Sequence, residues 1–377
     1  EVQPAVVYNS QWQEYLVVFW TDRPGCDDIR AERVSRQVTL LGGAWIAAGC
    51  PAENRHPDVA YNNKANEYLV VWEEESAGNS LIRSQRFAAD LAPRPEGVQT
   101  LFADNLGVGV ASRPAVGYAY TADKNLVVWD FHVIPAGVTH ILGRVVFADG
   151  QPDPLLEFPV SEDPGGQHRK DPDLTYNRHG DGYLVVWQQF DPVSSLWDIR
   201  GRLVNGSGAT PFGPFLIDKS TVNCTAPAAA AIPTTAIAEK YLVVWERERA
   251  PGDRDIEGRW IEEDGTPANH FLSFSYVGAD ESGPAIAGNE NNDHYLIVWR
   301  QALGVVDVPL AVVHLSWTGN TFETARFSGR AADCPAVAAG PSGDFLVAWQ
   351  DQPLGATDTN IYGQVWGNRV YLPLLLR

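Results

Sequence analysis

The chain has 377 residues, no methionine, four cysteines and only five lysines. It contains no apolar run long enough to cross a bilayer, so we expect no membrane insertion. A formal net charge of −19 and the absence of a basic run argue against nucleic acid as a partner. The chain begins at Glu1 without a starting methionine. We therefore expect a mature extracellular protein from which a signal peptide has been removed.

Sequence signatures of catalysis are also missing. The chain has no H-E-x-x-H zinc motif, no G-x-S-x-G nucleophile motif, no G-x-G-x-x-G motif and no phosphate-binding loop. No two cysteines have the C-x-x-C spacing of metal sites. These absences predict neither metal nor cofactor, and they favour a protein that is not an enzyme.

A short apolar stretch, seen as EYLVVW at 67–72, recurs seven times. Each copy is too short for a buried helix and rich in residues that favour strands. Its closing tryptophans lie at 20, 72, 129, 187, 245, 299 and 349. A repeat of about fifty-five residues indicates a propeller or a solenoid, and strands that are apolar on both faces need cover on both sides. We interpret the tryptophans as core residues between neighbouring units.

Each repeat predicts four strands, which gives an all-β, seven-bladed β-propeller with four antiparallel strands per blade. A strand that starts with proline comes first, then a polar hairpin, the YLVVW strand, a variable loop, a D-I-x-G-R strand and a fourth strand. The whole chain forms one closed domain in this interpretation. Its blades cover approximately 1–53, 54–110, 111–168, 169–223, 224–280, 281–331 and 332–377.

The motifs at 4–8 (PAVVY), 67–72 (EYLVVW) and 198–202 (DIRGR) carry a family resemblance. They resemble a group of bacterial secreted propellers whose repeats read approximately PAVAYN, EYLVVW and DIYGQRV. The resemblance covers essentially the whole chain and implies an exported propeller without a shared catalytic motif. Neither a WD dipeptide nor the kelch diglycine recurs at an equivalent position in the repeats, and the S-x-D-x-G-x-T-W box of sialidases is absent.

Two cysteines fall in the first repeat. Cys26 follows the second strand and Cys50 follows the fourth, so both belong to the face that carries the loops after YLVVW, which we call the top face. We predict that these two form a disulfide. Cys224 and Cys334 lie on the same face but two blades apart, and the sequence leaves their pairing open.

Basic residues precede the prolines of blades two to four, at the top mouth of the channel. They are Arg55, His56, Arg113, Arg169 and Lys170. Together with Trp197, in a variable top loop, they form our candidate site for a small anion or an acidic sugar. The alternative is that these charges are solvated. The acidic top loops leave a similar choice between a solvated rim and a weak Ca²⁺ or glycan site.

One matched carboxylate pair is a candidate for glycoside hydrolysis, because propellers bring distant residues together in the channel. Asp58 and Asp173 each directly follow the first proline of their repeat.

The last predicted strand is apolar at nearly every position. It includes Val370, Tyr371, Leu372, Leu374 and Leu376, with few of the charges that normally protect an edge strand. We therefore expect it to contact another copy of the protein; the alternative is that top or bottom loops of blade 1 cover it. The resulting functional hypothesis is a secreted, non-catalytic interaction or structural module that self-associates. The alternatives are a lectin that binds glycan through its top-face loops, and a carbohydrate-active enzyme at the channel mouth.

Overall fold

The computed structural model describes residues 2–21, 26–104, 107–134, 136–155, 157–162, 166–232, 241–274, 279–289, 291–302, 310–316, 321–327, 332–352, 359–366 and 374–376. These residues form seven four-stranded antiparallel sheets, each built from four consecutive strands. The prediction of an all-β, seven-bladed propeller is confirmed. None of the described residues lies in a helix, and consequently none lies in a helix able to span a membrane.

The blades follow one another in chain order. Blade 1 contains β1 (Val2–Asn9), β2 (Glu14–Thr21), β3 (Asp28–Ser35) and β4 (Leu40–Ala47); blade 2 contains β5 (Glu53–Asn62), β6 (Glu67–Ser76), β7 (Asn79–Ala88) and β8 (Gln99–Asp104). Blade 3 contains β9 (Gly109–Ala119), β10 (Lys124–Val133), β11 (Val138–Phe147) and β12 (Phe158–Pro159); blade 4 contains β13 (Arg169–Asn177), β14 (Gly182–Asp191), β15 (Leu196–Asn205) and β16 (Phe215–Asp218). Blade 5 contains β17 (Cys224–Ala231), β18 (Tyr241–Ala250), β19 (Asp253–Ile261) and β20 (Pro267–Ser273). Blade 6 contains β21 (Asp280–Asn289), β22 (His294–Ala302), β23 (Leu310–Ser316) and β24 (Thr321–Phe327); blade 7 contains β25 (Asp333–Ala339), β26 (Phe345–Asp351), β27 (Asn360–Trp366) and β28 (Leu374–Leu376).

The second strand of each blade forms the core. Its apolar residues are covered on both faces by neighbouring blades, as in the cluster that joins β2 of blade 1 to β6 of blade 2. Six of the seven anchor tryptophans, from Trp72 to Trp349, are at most 3% exposed, whereas Trp20 is partly exposed. The interpretation of the tryptophans as core residues is therefore correct for those six.

Every first strand has a bulge at the residue before its proline. The seven residues are Gln3, His56, Arg113, Asp171, Ala226, Gly283 and Cys334, and each has a φ between +46° and +61°. The turned backbone directs an amide N–H towards the preceding blade. In five of the seven pairs of neighbouring blades, this N–H donates to the side chain of the residue directly after the anchor tryptophan. Examples are Glu73, which accepts from Arg113 N at 3.1 Å, and Gln188, which accepts from Ala226 N at 2.8 Å.

The arginine of D-I-x-G-R also joins blades. Arg202 donates to the carbonyl oxygens of Pro159 and Val160 in the preceding blade, at 3.1 and 2.9 Å. Arg144 reaches the carbonyl of Leu101 in the same manner at 2.5 Å. A guanidinium group has five donors, so one side chain satisfies carbonyls of both its own blade and its neighbour. The arginine of the repeated motif thus links neighbouring blades.

The ring closes by contact between complete blades. Gln3 N of blade 1 donates to Gln350 Oε1 of blade 7 at 3.1 Å, and Arg36 forms an ion pair with Asp344 at 3.1 Å. The predicted Cys26–Cys50 disulfide is confirmed, with a Cα–Cα distance of 5.0 Å. Cys224 and Cys334 are free thiols.

The predicted self-association residues lie at the end of the chain. Val370, Tyr371 and Leu372 lie outside the described residues. Leu374 and Leu376 belong to β28, which pairs with β27.

Candidate functional site

A cavity of about 360 Å³ occupies the central channel at the face opposite the top, where the hairpins between first and second strands lie. We call this side the hairpin face. All seven blades contribute to its lining. The residue four positions after the first proline has a special role, because it is tyrosine in blades 1 to 4 and small in blades 5 to 7. The four tyrosines are Tyr8, Tyr61, Tyr118 and Tyr176, which we call the tyrosine wall; the small residues are Ala231, Gly288 and Ala339.

Packing explains why one side of the cavity is aromatic and the other is small. Three wall tyrosines pack against the tyrosine opposite them on the second strand, as Tyr176 does against Tyr183 with ring centroids 5.2 Å apart. On the other side, a Cβ at Gly288 would come within 2.5 Å of the Ala231 carbonyl oxygen. Blade 6 therefore has no room for a side chain where blade 4 has a ring.

Three of the four wall tyrosines are held in place by their own hairpins. Tyr118 Oη donates to Asp123 Oδ1 at 2.6 Å, and Tyr176 Oη donates to Asp181 Oδ1 at 2.8 Å. Tyr61 donates to Asn66 Oδ1 at 3.0 Å. Burial raises the pKa of each of these tyrosines. The rings are thus fixed platforms with neutral hydroxyl groups.

Asp58 and Asp173 lie on the first strands of blades 2 and 4, three residues before their wall tyrosines, a separation of about 10 Å along a strand. The equivalent residue is alanine in the other five blades. Each carboxylate binds the first strand of the next blade: Asp58 Oδ2 accepts Val116 N at 2.7 Å, and Asp173 Oδ2 accepts Ala229 N at 2.8 Å. Both side chains remain partly exposed.

The two carboxyl groups are harder to ionise than ordinary aspartates. Burial raises the pKa of Asp58 to about 6, against the lowering effect of its backbone hydrogen bonds. Burial also raises the pKa of Asp173, to about 7, and the nearby negative charge of Asp58 contributes to this increase. The two carboxyl groups nominated from sequence are therefore near enough for the charge of Asp58 to raise the pKa of Asp173.

Three of the basic residues predicted at the top mouth, Arg55, His56 and Arg113, lie close to carboxylates. Arg55 pairs with Asp27 at 2.6 Å and with Glu53 at 2.7 Å. His56 Nδ1 lies 2.7 Å from Glu73.

Arg113 pairs with Asp171 of the next blade. Arg169 is fully buried and donates to Gln189 Oε1 at 3.1 Å. Lys170 Nζ lies 5.0 Å from the ring centre of Trp197, and Phe190 packs against the same indole. Ligand binding by these residues stays a prediction, but neighbouring protein groups already contact them.

No group of three or more histidine, cysteine, aspartate or glutamate side chains suited to a metal ion occurs within the described ranges. The sequence analysis missed the tyrosine wall, although the tyrosine that ends the first strand of four repeats was an available signal.

Comparisons with known proteins support the fold. No family model matches the chain, and no curated protein matches it. A Hadza microbial sialidase is 12% identical with a TM-score of 0.58, and the match covers 93% of this chain and 75% of the sialidase. The β-propeller domain of the Trilobed protease from Pyrococcus furiosus, described as having an open velcro topology, is 8% identical with a TM-score of 0.54 over 100% of this chain and 96% of that domain. An acylaminoacyl peptidase from Pyrococcus horikoshii is 8% identical with a TM-score of 0.55. This match covers 100% of this chain and 52% of the peptidase.

These likenesses correct two predictions. The expectation of a non-catalytic, self-associating module, and with it the expectation that the chain is not an enzyme, is wrong. It depended on the absence of linear motifs, whereas the solved structures with this fold include a sialidase. A propeller assembles its site from separate blades, so a linear motif is not required for catalysis.

Proposed function

We propose that this protein is a carbohydrate-active enzyme, a glycoside hydrolase that cleaves its substrate in the central channel between Asp58 and Asp173. The observation that carries the proposal is the pair of partly exposed carboxyl groups with raised pKa values, at equivalent first-strand positions where the other five blades have alanine. No basic side chain within the described part of the chain forms an ion pair with either group. The likeness to a sialidase supports the reaction class at the level of fold only.

Glycoside hydrolysis needs one carboxyl group that donates a proton and one that is ionised. With a pKa of about 7 for Asp173 and about 6 for Asp58, these opposite states coexist between those pH values. Asp173 is then the proton donor to the leaving oxygen, and Asp58 is its ionised partner. The product anomer identifies the role of Asp58: inversion makes it the base that activates water, and retention makes it the nucleophile.

The channel also offers a binding surface for sugar rings. Tyrosines present a large apolar face together with a polar group, which suits the apolar faces and hydroxyl groups of a pyranose. A substrate that enters from the hairpin face meets the tyrosine wall first and the carboxyl pair about 10 Å further in. We also infer that the protein acts outside the cell, which the Cys26–Cys50 disulfide supports.

The test is a hydrolysis screen with aryl glycosides and polysaccharides between pH 5 and 8, with the product anomer identified by NMR. We expect activity to be highest between about pH 6 and 7. Asp173→Asn and Asp58→Asn should each lower kcat by ~10²–10⁴-fold, the usual contribution of a general acid or base.

Asp264→Asn provides the matched control, because this carboxylate accepts Thr266 N in an exposed turn at 2.8 Å. Its activity should equal that of the parent. Activity that survives both channel substitutions, or the absence of hydrolysis across the whole screen, would refute the proposal.

A further inference from the structure

The cavity at the hairpin face presents a nearly uncharged surface. Among the described residues that line it, Arg178 alone is charged, and its guanidinium carbon lies 5.1 Å from the centre of the Tyr120 ring. This side chain is already engaged within the protein. The carboxylates of Asp123 and Asp181 accept the hydroxyl groups of two wall tyrosines at 2.6 and 2.8 Å. A ligand in the cavity therefore meets mainly ring faces, hydroxyl groups and small side chains.

The electrostatic surroundings of the cavity disfavour an acidic sugar. The protein has a net charge of −19, and Asp58, with a pKa of about 6, is mostly ionised at pH 7. Like charges repel, so a carboxylate on the ligand would raise the cost of binding. A neutral sugar chain suits this environment better than a charged one.

The volume of the cavity corresponds to two sugar rings. Blades 5 to 7 leave this space because Ala231, Gly288 and Ala339 take the positions of the wall tyrosines. At a packing density of ~0.75, a cavity of 360 Å³ holds about 270 Å³ of ligand atoms, which is roughly the size of a disaccharide.

The depth of the cavity leads to the same number. Its lining extends inwards from the hairpin residues Ser10 and Asn63 to Val6, which lies two positions after the first proline of blade 1. Asp58 and Asp173 directly follow the first prolines of their own blades, one position beyond the depth of Val6. The ~10 Å between the wall tyrosines and these aspartates spans roughly two rings of an extended pyranose chain.

We propose that the cavity forms two adjacent subsites for a neutral, β-1,4-linked pyranose chain. Every linkage in such a chain is equatorial, so its rings present flat apolar faces to the tyrosines and carry hydroxyl groups at their edges. This inference deepens the proposed function by naming its substrate class, and it rests on that function only for the cleavage at the inner end of the cavity. The sequence analysis placed its glycan site on the top face, whereas these subsites lie on the opposite face.

The test uses the Asp58→Asn/Asp173→Asn protein, so that binding is measured without turnover. Titration calorimetry is performed with cello-, xylo- and manno-oligosaccharides of one to four units. In at least one series the disaccharide should bind about tenfold more tightly than the monosaccharide, and longer members within about twofold of the disaccharide. The inference is wrong if no series binds, or if a third unit strengthens binding as much as the second.

Substitution of a wall tyrosine locates the subsites. Tyr176→Ala should weaken disaccharide binding about tenfold, because it removes a stacking face. Blades 5 and 7 already have alanine at this position, so the fold accommodates it. Tyr176→Phe is the matched control, because it keeps the ring and should bind the disaccharide within about twofold of the parent. Equal binding by the alanine variant would place the ligand elsewhere and overturn the inference.

Filling the cavity tests the limit of two units. Ala339→Tyr adds a ring opposite Phe345 of β26, in the position that Tyr8 has opposite Tyr15 in blade 1. The disaccharide should then bind about tenfold more weakly, whereas monosaccharide binding should change less than about twofold. Unchanged disaccharide binding would contradict the inference.

Two further variants support this measurement. Ala250→Tyr is the matched control, because Ala250 is exposed at the top-face end of β18 and its substitution should leave binding unchanged. Far-UV circular dichroism verifies that each variant is folded. If Ala339→Tyr does not fold, Ala231→Leu fills the same cavity from blade 5 and should have the same effect on binding.

The outcomes separate the two proposals. If the parent enzyme hydrolyses glycosides but no series shows the limit of two units, the inference is wrong and the hydrolase function stands. If the limit is observed and depends on Tyr176 and Ala339, but nothing in the wider screen is hydrolysed, the subsites are supported and the hydrolase function is refuted.

Discussion

Replacing both channel carboxyl groups with amides should stabilise the protein at high pH. Asp58→Asn/Asp173→Asn keeps an oxygen to accept the amide hydrogens of Val116 and Ala229. In the folded protein the pKa values are about 6 and about 7, compared with 3.8 for an ordinary aspartate. Because the folded state binds these protons more tightly, its stability falls as the pH rises from about 4 through about 7. The double variant has amides at both positions, so its stability should not fall for this reason as the pH rises.

The expected gain follows from the size of these pKa differences. One pKa unit corresponds to ~1.4 kcal/mol, so the two ionisations cost at most ~7 kcal/mol above pH 7. Both residues are partly exposed, so solvent screening reduces this cost, and we expect ~2–4 kcal/mol. Such a cost is typical of charged groups that are retained for function rather than for stability.

Denaturant unfolding followed by tryptophan fluorescence at pH 4 and pH 8 measures the difference. The free energy of unfolding of the variant should exceed that of the parent at pH 8 and match it at pH 4. Asp264→Asn is the control, because its effect on stability should have the opposite sign. Backbone hydrogen bonding lowers the pKa of Asp264, so removing this carboxylate should destabilise the protein slightly at pH 8. A double variant that is less stable than the parent at pH 8 would mean that the two carboxylates stabilise the fold through their hydrogen bonds to the next blade, and the reasoning would be wrong.

Two further predictions concern the core. Trp187 is fully buried, whereas Trp197 is partly exposed. Trp187→Ala should therefore lower the free energy of unfolding by ~3–5 kcal/mol, and Trp197→Ala by less than ~1 kcal/mol. Equal losses in denaturant unfolding would contradict this assignment. Burial lowers the pKa of His314 to about 4, so the unfolded chain binds this proton more readily and stability should fall as the pH drops from 6.5 towards 4. His314→Gln should reduce that slope in thermal unfolding, and an unchanged slope would exclude His314 as its cause.

Much of the architecture was determined by local sequence. A run such as YLVVW is apolar on both faces and too short for a helix, so seven copies require a fold that covers strands on both sides. The position of Cys26 and Cys50 after the second and fourth strands of one antiparallel blade was sufficient to predict their disulfide. The equivalent positions of Asp58 and Asp173 after their prolines also identified them as a pair before their surroundings were known.

The tertiary structure alone decided which side chains share an environment. Glu73 belongs to an acidic run in the sequence, but the bulge at Arg113 in the next blade brings an amide donor to it. Arg55 and Arg113 at the top mouth pair with Asp27 and Asp171 of neighbouring blades, contacts that a pattern within one repeat does not encode. The tyrosine wall likewise needs a closed ring, since only closure places residues more than fifty positions apart around one cavity and leaves small residues opposite them.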